Sequence, residues 1–165
     1  MKKGVIEMQI LKEVRKMDVV IDNPIEPKKF FVNRKGLYVW SGFTEKIIER
    51  GKATKIEKGS HAIESLDLVT SATDEQIELS LDNKNVFSES DAAALIAEMI
   101  ARQPNGEDGE LLTSGDVNLF YTPACVVYVL WRAGGGEWRV FAWDRDDNWW
   151  RAGRRVFSPQ LALDL

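Results

Sequence analysis

The fold of this chain is decided by residues 125–157, which read CVVYVLWRAGGGEWRVFAWDRDDNWWRAGRRVF. Runs of apolar and aromatic residues alternate here with two turn-forming segments, AGGG at 133–136 and DRDDN at 144–148, a pattern typical of β-strands joined by tight turns. We therefore predict a meander of three antiparallel strands over residues 125–131, 137–143 and 149–157. Five of the six tryptophans of the chain lie in this stretch.

These tryptophans cannot all lie in one core layer. Successive side chains of a strand point to opposite faces, so Trp149 and Trp150 must separate, as must Trp138 and Trp143, which are five positions apart. Either both faces of the sheet are covered or some indoles are exposed. The second alternative predicts a partner-binding surface of tryptophans and interleaved arginines, comprising Trp138, Trp143, Trp149, Trp150, Arg151 and Arg154.

Working outward from the meander, the pattern predicts helices packed on the sheet. Leu95, Ile96 and Met99 share one stripe of a helix that starts at residue 88 or 90 and ends at 103, before the stop signal at 104–106. Thr73 and Gln76 have the spacing of a capping box and predict a short helix through residue 81. Alternation over 61–70 predicts a strand. The expected fold class is α+β, an antiparallel sheet of about five or six strands with one or two packed helices.

The N-terminal part is less determined by its pattern. Residues 30–32 and 37–40 flank the turn 33–36 and predict a hairpin. Residues 43–56 fit either a helix or a strand, and residues 1–22 fit either a helix or an extended segment, followed by the breaks at Pro24 and Pro27. We predict an N-terminal arm with a proline-containing linker over 1–29 and a single α+β domain over 30–165.

Composition and charge limit the function classes. The chain is 44% hydrophobic and 29% charged, as globular proteins are, with a net charge of −4. The charge is uneven, at +6 over residues 1–60, −11 over 61–116 and +1 over 117–165. We expect the basic and acidic segments to complement each other within the fold. Without a signal-peptide core or an apolar run long enough for a bilayer, and with one cysteine, the chain is expected in the cytoplasm and not at a membrane.

The sequence offers no catalytic or metal-binding set. His61 is the only histidine and Cys125 the only cysteine, which excludes the usual zinc clusters. The acidic segment around Glu107, Asp108 and Glu110 is expected to be a solvated loop. Neither catalytic residues, metal ligands nor a cofactor are predicted, which argues against an enzyme.

Three stretches of the sequence resemble a known group of proteins. They are FVNRKGLYVWSGFT at 31–44, NLFYTP at 118–123 and RRVFSP at 154–159. These stretches look like small uncharacterised proteins of bacterial prophages and related mobile elements. The resemblance implies a bacterial cytoplasm and an accessory role, and it brings no catalytic residues.

The leading hypothesis is a non-enzymatic accessory protein that binds a macromolecule, most simply another protein or a second copy of itself. The alternative is a nucleic-acid-binding accessory protein, because basic residues combined with stacking aromatics are typical of single-strand binders. That alternative would use the meander together with Lys28, Lys29, Arg34 and Lys35. A sugar-binding platform of exposed tryptophans is a third possibility.

Overall fold

One large sheet collects strands from most of the chain. The computed structural model describes residues 9–81, 86–145 and 148–160. The strands within these ranges are β1 (Leu11–Ile21), β2 (Leu37–Val39), β3 (Gly59–Leu68), β4 (Ala72–Thr73), β5 (Asn118–Tyr121), β6 (Cys125–Arg132), β7 (Glu137–Asp144), β8 (Trp149–Trp150) and β9 (Arg155–Pro159). The helices are α1 (Pro27–Phe30), α2 (Ser41–Phe43), which continues as a π-helix over Thr44–Arg50, α3 (Asp74–Ser80) and α4 (Glu89–Arg102).

Seven strands form a mixed sheet in the order β1-β3-β9-β5-β6-β7-β2, and β4 pairs with β8 in a separate two-stranded sheet. The prediction of a mixed helix and sheet fold is confirmed. The sheet is not purely antiparallel, however, because β5 runs parallel to β9 and β2 runs parallel to β7. Both parallel pairs join segments distant in sequence, and local alternation of residues does not encode such pairing.

The predicted meander is only partly correct. Its first two strands form the expected hairpin, since β6 and β7 pair antiparallel along their whole lengths. The third strand is wrong, because residues 149–157 are divided at Gly153, which has a φ of +100°. The first piece, β8, leaves the main sheet to pair with β4, and the second piece, β9, lies between β3 and β5. The other neighbour of β7 is β2.

The N-terminal hairpin is wrong in its first strand. Phe30 ends α1, which begins at Pro27, because the fixed φ of proline and its missing N–H suit the first helical position. The second strand forms as β2, and Arg34 and Leu37 exchange two backbone hydrogen bonds across the turn before it. The segment 43–56, for which helix and strand are both predicted, is helical as far as Arg50.

The segment predicted as an N-terminal arm forms an edge strand over part of its length. β1 pairs antiparallel with β3 from Leu11–Leu68 to Ile21–Gly59. Its Val19 and Ile21 side chains are buried in the main core. The extended alternative therefore holds for Leu11–Ile21, whereas residues 1–8 lie outside the described residues.

The helices predicted from caps and stripes are confirmed. α4 is capped by Ser88, whose hydroxyl accepts a hydrogen bond from the Asp91 N–H at 3.1 Å. α3 has the predicted capping box, in which the Thr73 hydroxyl accepts from the Gln76 N–H and the Gln76 side chain accepts from the Thr73 N–H. Residues 104–116 contain no helix or strand, as expected for a loop.

The two faces of the main sheet are covered to different extents. On one face the buried stripe of α4 packs on inward residues such as Trp138 and Val140 of β7. On the other face a smaller core joins α3 and β4 to Leu119, Tyr121 and Val156. That second layer covers the β9, β5 and inner β6 part of the sheet. Over outer β6, β7 and β2, this face carries half-buried and exposed aromatic side chains.

Candidate functional site

The candidate site is the incompletely covered end of the second face, which we call the aromatic face. Alternation along β7 places Trp138, Val140 and Ala142 in the core and therefore points Phe141 and Trp143 to the opposite side. Strand pairing brings Tyr128 of β6 opposite Phe141, and Tyr38 lies on β2 beside them. The aromatic face consists of Tyr38, Trp40, Tyr128, Phe141, Trp143 and Trp150.

The rings of this face pack against one another. Tyr128 is stacked on Phe141 with ring centroids 4.7 Å apart and an interplanar angle of 9°. Tyr128 is also parallel to Trp143 within 6°, at 6.0 Å. Trp40 lies 5.0 Å from Trp143 at a tilt of 33°. Because ring faces contact neighbouring rings, the ring edges are the parts directed outward.

Gly42 provides the space for the Trp40 ring. A Cβ atom added at Gly42 would lie 2.0 Å from Cζ3 of Trp40, which no side chain tolerates. The indole therefore rests directly on the α2 backbone. The position of Trp40 on the aromatic face depends on the absence of a side chain at residue 42.

One cation lies among these rings. The Arg139 guanidinium carbon is 4.4 Å from the Tyr38 ring centroid and 5.8 Å from that of Phe141. Glu137, two residues earlier on the same side of β7, approaches Arg139 Nε at 3.2 Å. That contact lacks hydrogen-bond geometry, so the buried Nε has no hydrogen-bond partner within the described part of the chain.

The small β4–β8 sheet borders the aromatic face and is anchored by a buried carboxylate. Asp74 is fully buried and accepts hydrogen bonds from the Tyr121 hydroxyl at 2.6 Å and from Trp150 Nε1 at 2.7 Å. Its other oxygen accepts from Asn148 Nδ2 at 2.6 Å. Trp150 is thereby held edge-on to Tyr128, with centroids 5.6 Å apart. The neighbouring Trp149 is 62% exposed.

The Asp74 cluster is suited to holding structure rather than to chemistry. Burial, followed by the charge of Asp74 and its hydrogen bond, raises the pKa of Tyr121 far above its ordinary value, so the phenol stays protonated. Both carboxylate oxygens are occupied by donors, and Asp74 has no exposed surface. A substrate cannot reach a group in this position, and the cluster is therefore an anchor for β8.

The predicted tryptophan contact surface is divided by the structure. Trp138 is 0% exposed and donates from Nε1 to the Gln103 carbonyl at 2.6 Å, so it belongs to the core and not to a contact surface. Trp143, 39% exposed, and half-buried Trp150 both contact Tyr128 and belong to the aromatic face. Trp149 is exposed at its border.

The two arginines predicted for that surface differ. Arg151 is exposed. Arg154 is tied to Asp116 at 3.0 Å, and its Nε is buried without a hydrogen-bond partner in the described ranges. Arg154 is therefore part of the packing between β9 and the 104–116 loop.

Sequence reasoning missed four members of the face: Tyr38, Trp40, Tyr128 and Phe141. The signal for two of them was present, because Phe141 and Trp143 share the same side of one predicted strand, and Tyr128 is the hairpin partner of Phe141. Tyr38 and Trp40 reach the face only through the parallel β2–β7 pairing, which the sequence pattern does not indicate.

The residues predicted for nucleic-acid binding are largely engaged or dispersed. Lys29 pairs with Glu26 at 3.4 Å. Arg34 donates to the Phe30 and Val32 carbonyls and lies over the Phe30 ring at 4.6 Å. Lys28 and Lys35 are exposed. Of the four, two hold their own segment together.

Charged pairs also link distant parts of the chain. Arg15 of β1 pairs with Glu110 of the acidic loop at 3.1 Å. Lys46 of the π-helix pairs with Asp144 at 3.3 Å, beside the aromatic face. Asp146 and Asp147, which follow in the sequence and belong to a predicted turn, lie outside the described residues.

The described side chains that could bind a metal ion or act as a nucleophile do not form a recognisable site. In residues 9–81, 86–145 and 148–160 there is no group of three or more His, Cys, Asp or Glu side chains placed to hold a metal ion. His61 Nε2 lies 2.9 Å from the Glu57 carbonyl oxygen. Cys125 is buried, and this burial raises the pKa of its thiol.

Within the described ranges, every helix is too short or too polar to cross a bilayer. No protein-family model, curated protein or solved structure was found to match this chain.

Proposed function

We propose that this chain is a non-enzymatic accessory protein that docks a protein partner on its aromatic face. The observation that carries the proposal is the packing of Tyr128, Phe141 and Trp143, whose stacked rings sit half-buried or exposed on a sheet face. Aromatic side chains are enriched at the centres of protein interfaces, where they bury large apolar areas. The prophage-like stretches support an accessory role in a mobile element.

The orientation of the rings favours a protein surface over stacking ligands. Bases and sugars stack on exposed ring faces. On this surface the ring faces of Tyr128 and Phe141 are already paired with each other at 4.7 Å. The ridge of outward ring edges fits instead into a groove between apolar side chains of another protein.

The charge of the aromatic face also favours a protein partner over nucleic acid. Arg139 has Glu137 beside it, and Lys46 has Asp144. Binding of the phosphate backbone requires a net basic surface, and these pairs leave the aromatic face close to neutral. Nucleic-acid binding through Lys28, Lys35 and exposed Arg151 is the weaker alternative.

The test is selection of a displayed peptide library on the immobilised protein, accompanied by sedimentation velocity to detect self-association. Trp143→Ser removes the most exposed ring of the face. Leu79→Ser is the matched control, because Leu79 is an exposed apolar residue on α3, 58% exposed and outside the face. We expect peptide binding or self-association that is lost in Trp143→Ser and kept in Leu79→Ser.

Three outcomes would contradict the proposal. One is that neither peptide binding nor self-association depends on Trp143. Another is that the protein shifts single-stranded DNA at low salt, with an affinity that falls steeply as salt rises, and selects no peptide. A saturable change in indole emission on a glycan panel without peptide binding would likewise favour the sugar alternative.

A further inference from the structure

The aromatic face contains one charged group whose contacts are incomplete. The Arg139 side chain is 26% exposed and lies over Tyr38 and Phe141. The Glu137 carboxylate lies 3.2 Å from its Nε. This buried Nε has no hydrogen-bond partner among the described residues. A guanidinium has five N–H donors, and those on the exposed part of the side chain can reach a ligand.

We infer that Arg139 binds a carboxylate of the docked partner, and that the partner therefore presents an Asp or Glu side chain flanked by apolar residues. This inference rests on the proposed docking function. The apolar flanks would cover the ring edges of Phe141 and Trp143. The carboxylate would lie between these two flanks and pair with the Arg139 guanidinium.

The position of Arg139 prepares it for this role. A guanidinium held over an aromatic ring is already oriented, so less side-chain entropy is lost when a ligand binds. Its planar fork matches the two oxygens of a carboxylate. Partial exclusion of water by the surrounding rings strengthens the pairing relative to an exposed salt bridge.

Glu137 determines which anion fits best. Its carboxylate lies 3.2 Å from Arg139 Nε and already contributes one negative charge. A second single charge can be accommodated on the remaining donors. A phosphate group, with a charge of about −1.5 to −2, meets stronger repulsion from Glu137. We therefore expect Arg139 to bind a partner carboxylate in preference to a phosphate.

The experiment compares peptides selected by the wild-type protein with those selected by Arg139→Gln. Arg15→Gln is the matched control, since Arg15 is 61% exposed on β1, at the opposite edge of the main sheet, and like Arg139 has a carboxylate beside it. Wild type and control should enrich Asp or Glu between apolar positions. Arg139→Gln should retain the apolar preference, lose the acidic one, and bind the best wild-type peptide about tenfold more weakly or worse.

A peptide series on the wild-type protein gives the same answer without relying on a variant. Replacing the acidic residue of the best peptide by Gln should weaken binding about tenfold, and replacing it by Lys should weaken it further. Arg139→Lys should recover only part of the affinity, because lysine keeps the charge but not the fork.

The outcomes separate the inference from the proposed function. Peptides that depend on Trp143 but show no acidic preference would overturn the inference and leave the docking function standing. Tighter binding of a phosphoserine peptide than of its glutamate counterpart would also overturn it, in favour of phosphate recognition. The absence of any Trp143-dependent binding would count against both.

Discussion

Gly42 controls the aromatic face at the scale of a single residue. A methyl group at this position would overlap the Trp40 ring. The backbone itself would accept alanine, because Gly42 lies in the short helix α2 and its φ is not positive. Gly42→Ala should therefore displace the Trp40 indole from Trp143 without loss of helix, since alanine favours helix by about 1 kcal/mol over glycine.

The displacement can be followed by circular dichroism. The indoles of Trp40 and Trp143 have centroids 5.0 Å apart, close enough for exciton coupling of their transitions. We expect this signal to weaken in Gly42→Ala and to persist in Gly134→Ala, where the added methyl group meets nothing within 4 Å. An unchanged coupling in Gly42→Ala would mean that Trp40 is not seated on Gly42 in solution.

Tyr121 links the stability of the molecule to alkaline pH. Burial and the charge of Asp74 raise the pKa of Tyr121 above its ordinary value of about 10. In the unfolded chain the phenol ionises near pH 10, while the native phenol keeps its proton. Its contribution to stability is therefore complete below about pH 10 and is lost as the pH rises above that value.

The measurement is the free energy of unfolding in urea between about pH 9 and 11. Wild type should lose stability more steeply over this range than Tyr121→Phe, which has no hydroxyl to ionise. At neutral pH, Tyr121→Phe should be less stable by about 1.5–3 kcal/mol, because Asp74 loses one donor. Parallel curves for the two proteins would show that the Tyr121–Asp74 hydrogen bond does not form as described.

At the scale of elements, α4 is the helix that packs on one face of the main sheet. Its first turn depends on the Ser88 hydroxyl, and its buried stripe faces the core through Leu95, Ile96 and Met99. Ser88→Ala should lower the free energy of unfolding by about 1 kcal/mol, equivalent to about 2–4 °C in Tm. Ser88→Thr, which keeps a capping oxygen, is the control. Equal destabilisation by both changes would argue that the side-chain volume at residue 88, and not the cap, matters.

Elements of this kind were predictable because their signals are local. The α4 stripe, the α3 capping box and the β6–β7 hairpin each depend on residues within about two turns of each other or across one tight turn. Phe30 was wrongly predicted to lie in a strand because adjacent aromatic residues are typical of strands. It lies instead in the helix that Pro27 starts three residues earlier. The local signal of proline outweighs the propensity of the aromatic residues.

The position of β9 could not be predicted for a different reason. Nothing in residues 155–159 indicates that they insert between β3 and β5, segments that end or begin well before them in the chain. Once Gly153 turns the chain, β9 is free to pair with distant strands, and β8 is free to pair with β4. The candidate site also depends on pairing between distant strands. Trp143 was predicted from local alternation, whereas Tyr38 reaches the site only through the β2–β7 pairing and was not predicted.

For the whole molecule, the seven-stranded sheet has one incompletely covered face and two edges, and both edges are protected. At β2 the Asn33 side chain accepts the Val39 N–H at 2.7 Å, and the Arg34–Leu37 turn closes the other end. At β1 the edge carries exposed charged residues and a bulge between Glu13 and Arg15. Charges and bulges on edge strands oppose pairing with other chains. The proposed docking of a partner is therefore expected on the aromatic face and not at a sheet edge.

This arrangement predicts what happens when the charge on β1 is removed. Lys12 and Lys16 are exposed on an eleven-residue edge strand that also exposes Val14 and Val20. The double change Lys12→Thr/Lys16→Thr removes two charges and raises β-propensity, so β1 should pair with β1 of another molecule. Sedimentation velocity should show dimers or larger species that form with rising protein concentration.

The control for this prediction removes the same charge elsewhere. Lys28→Thr/Lys29→Thr changes two exposed lysines of α1, which is not part of the sheet, and should sediment as the wild type does. Combining the β1 change with Trp143→Ser separates the edge from the face, because association through the edge persists in the combined variant. If the β1 variant sediments like the wild type, the lysines do not protect this edge, and the bulge between Glu13 and Arg15 with the remaining charges must be sufficient to prevent pairing.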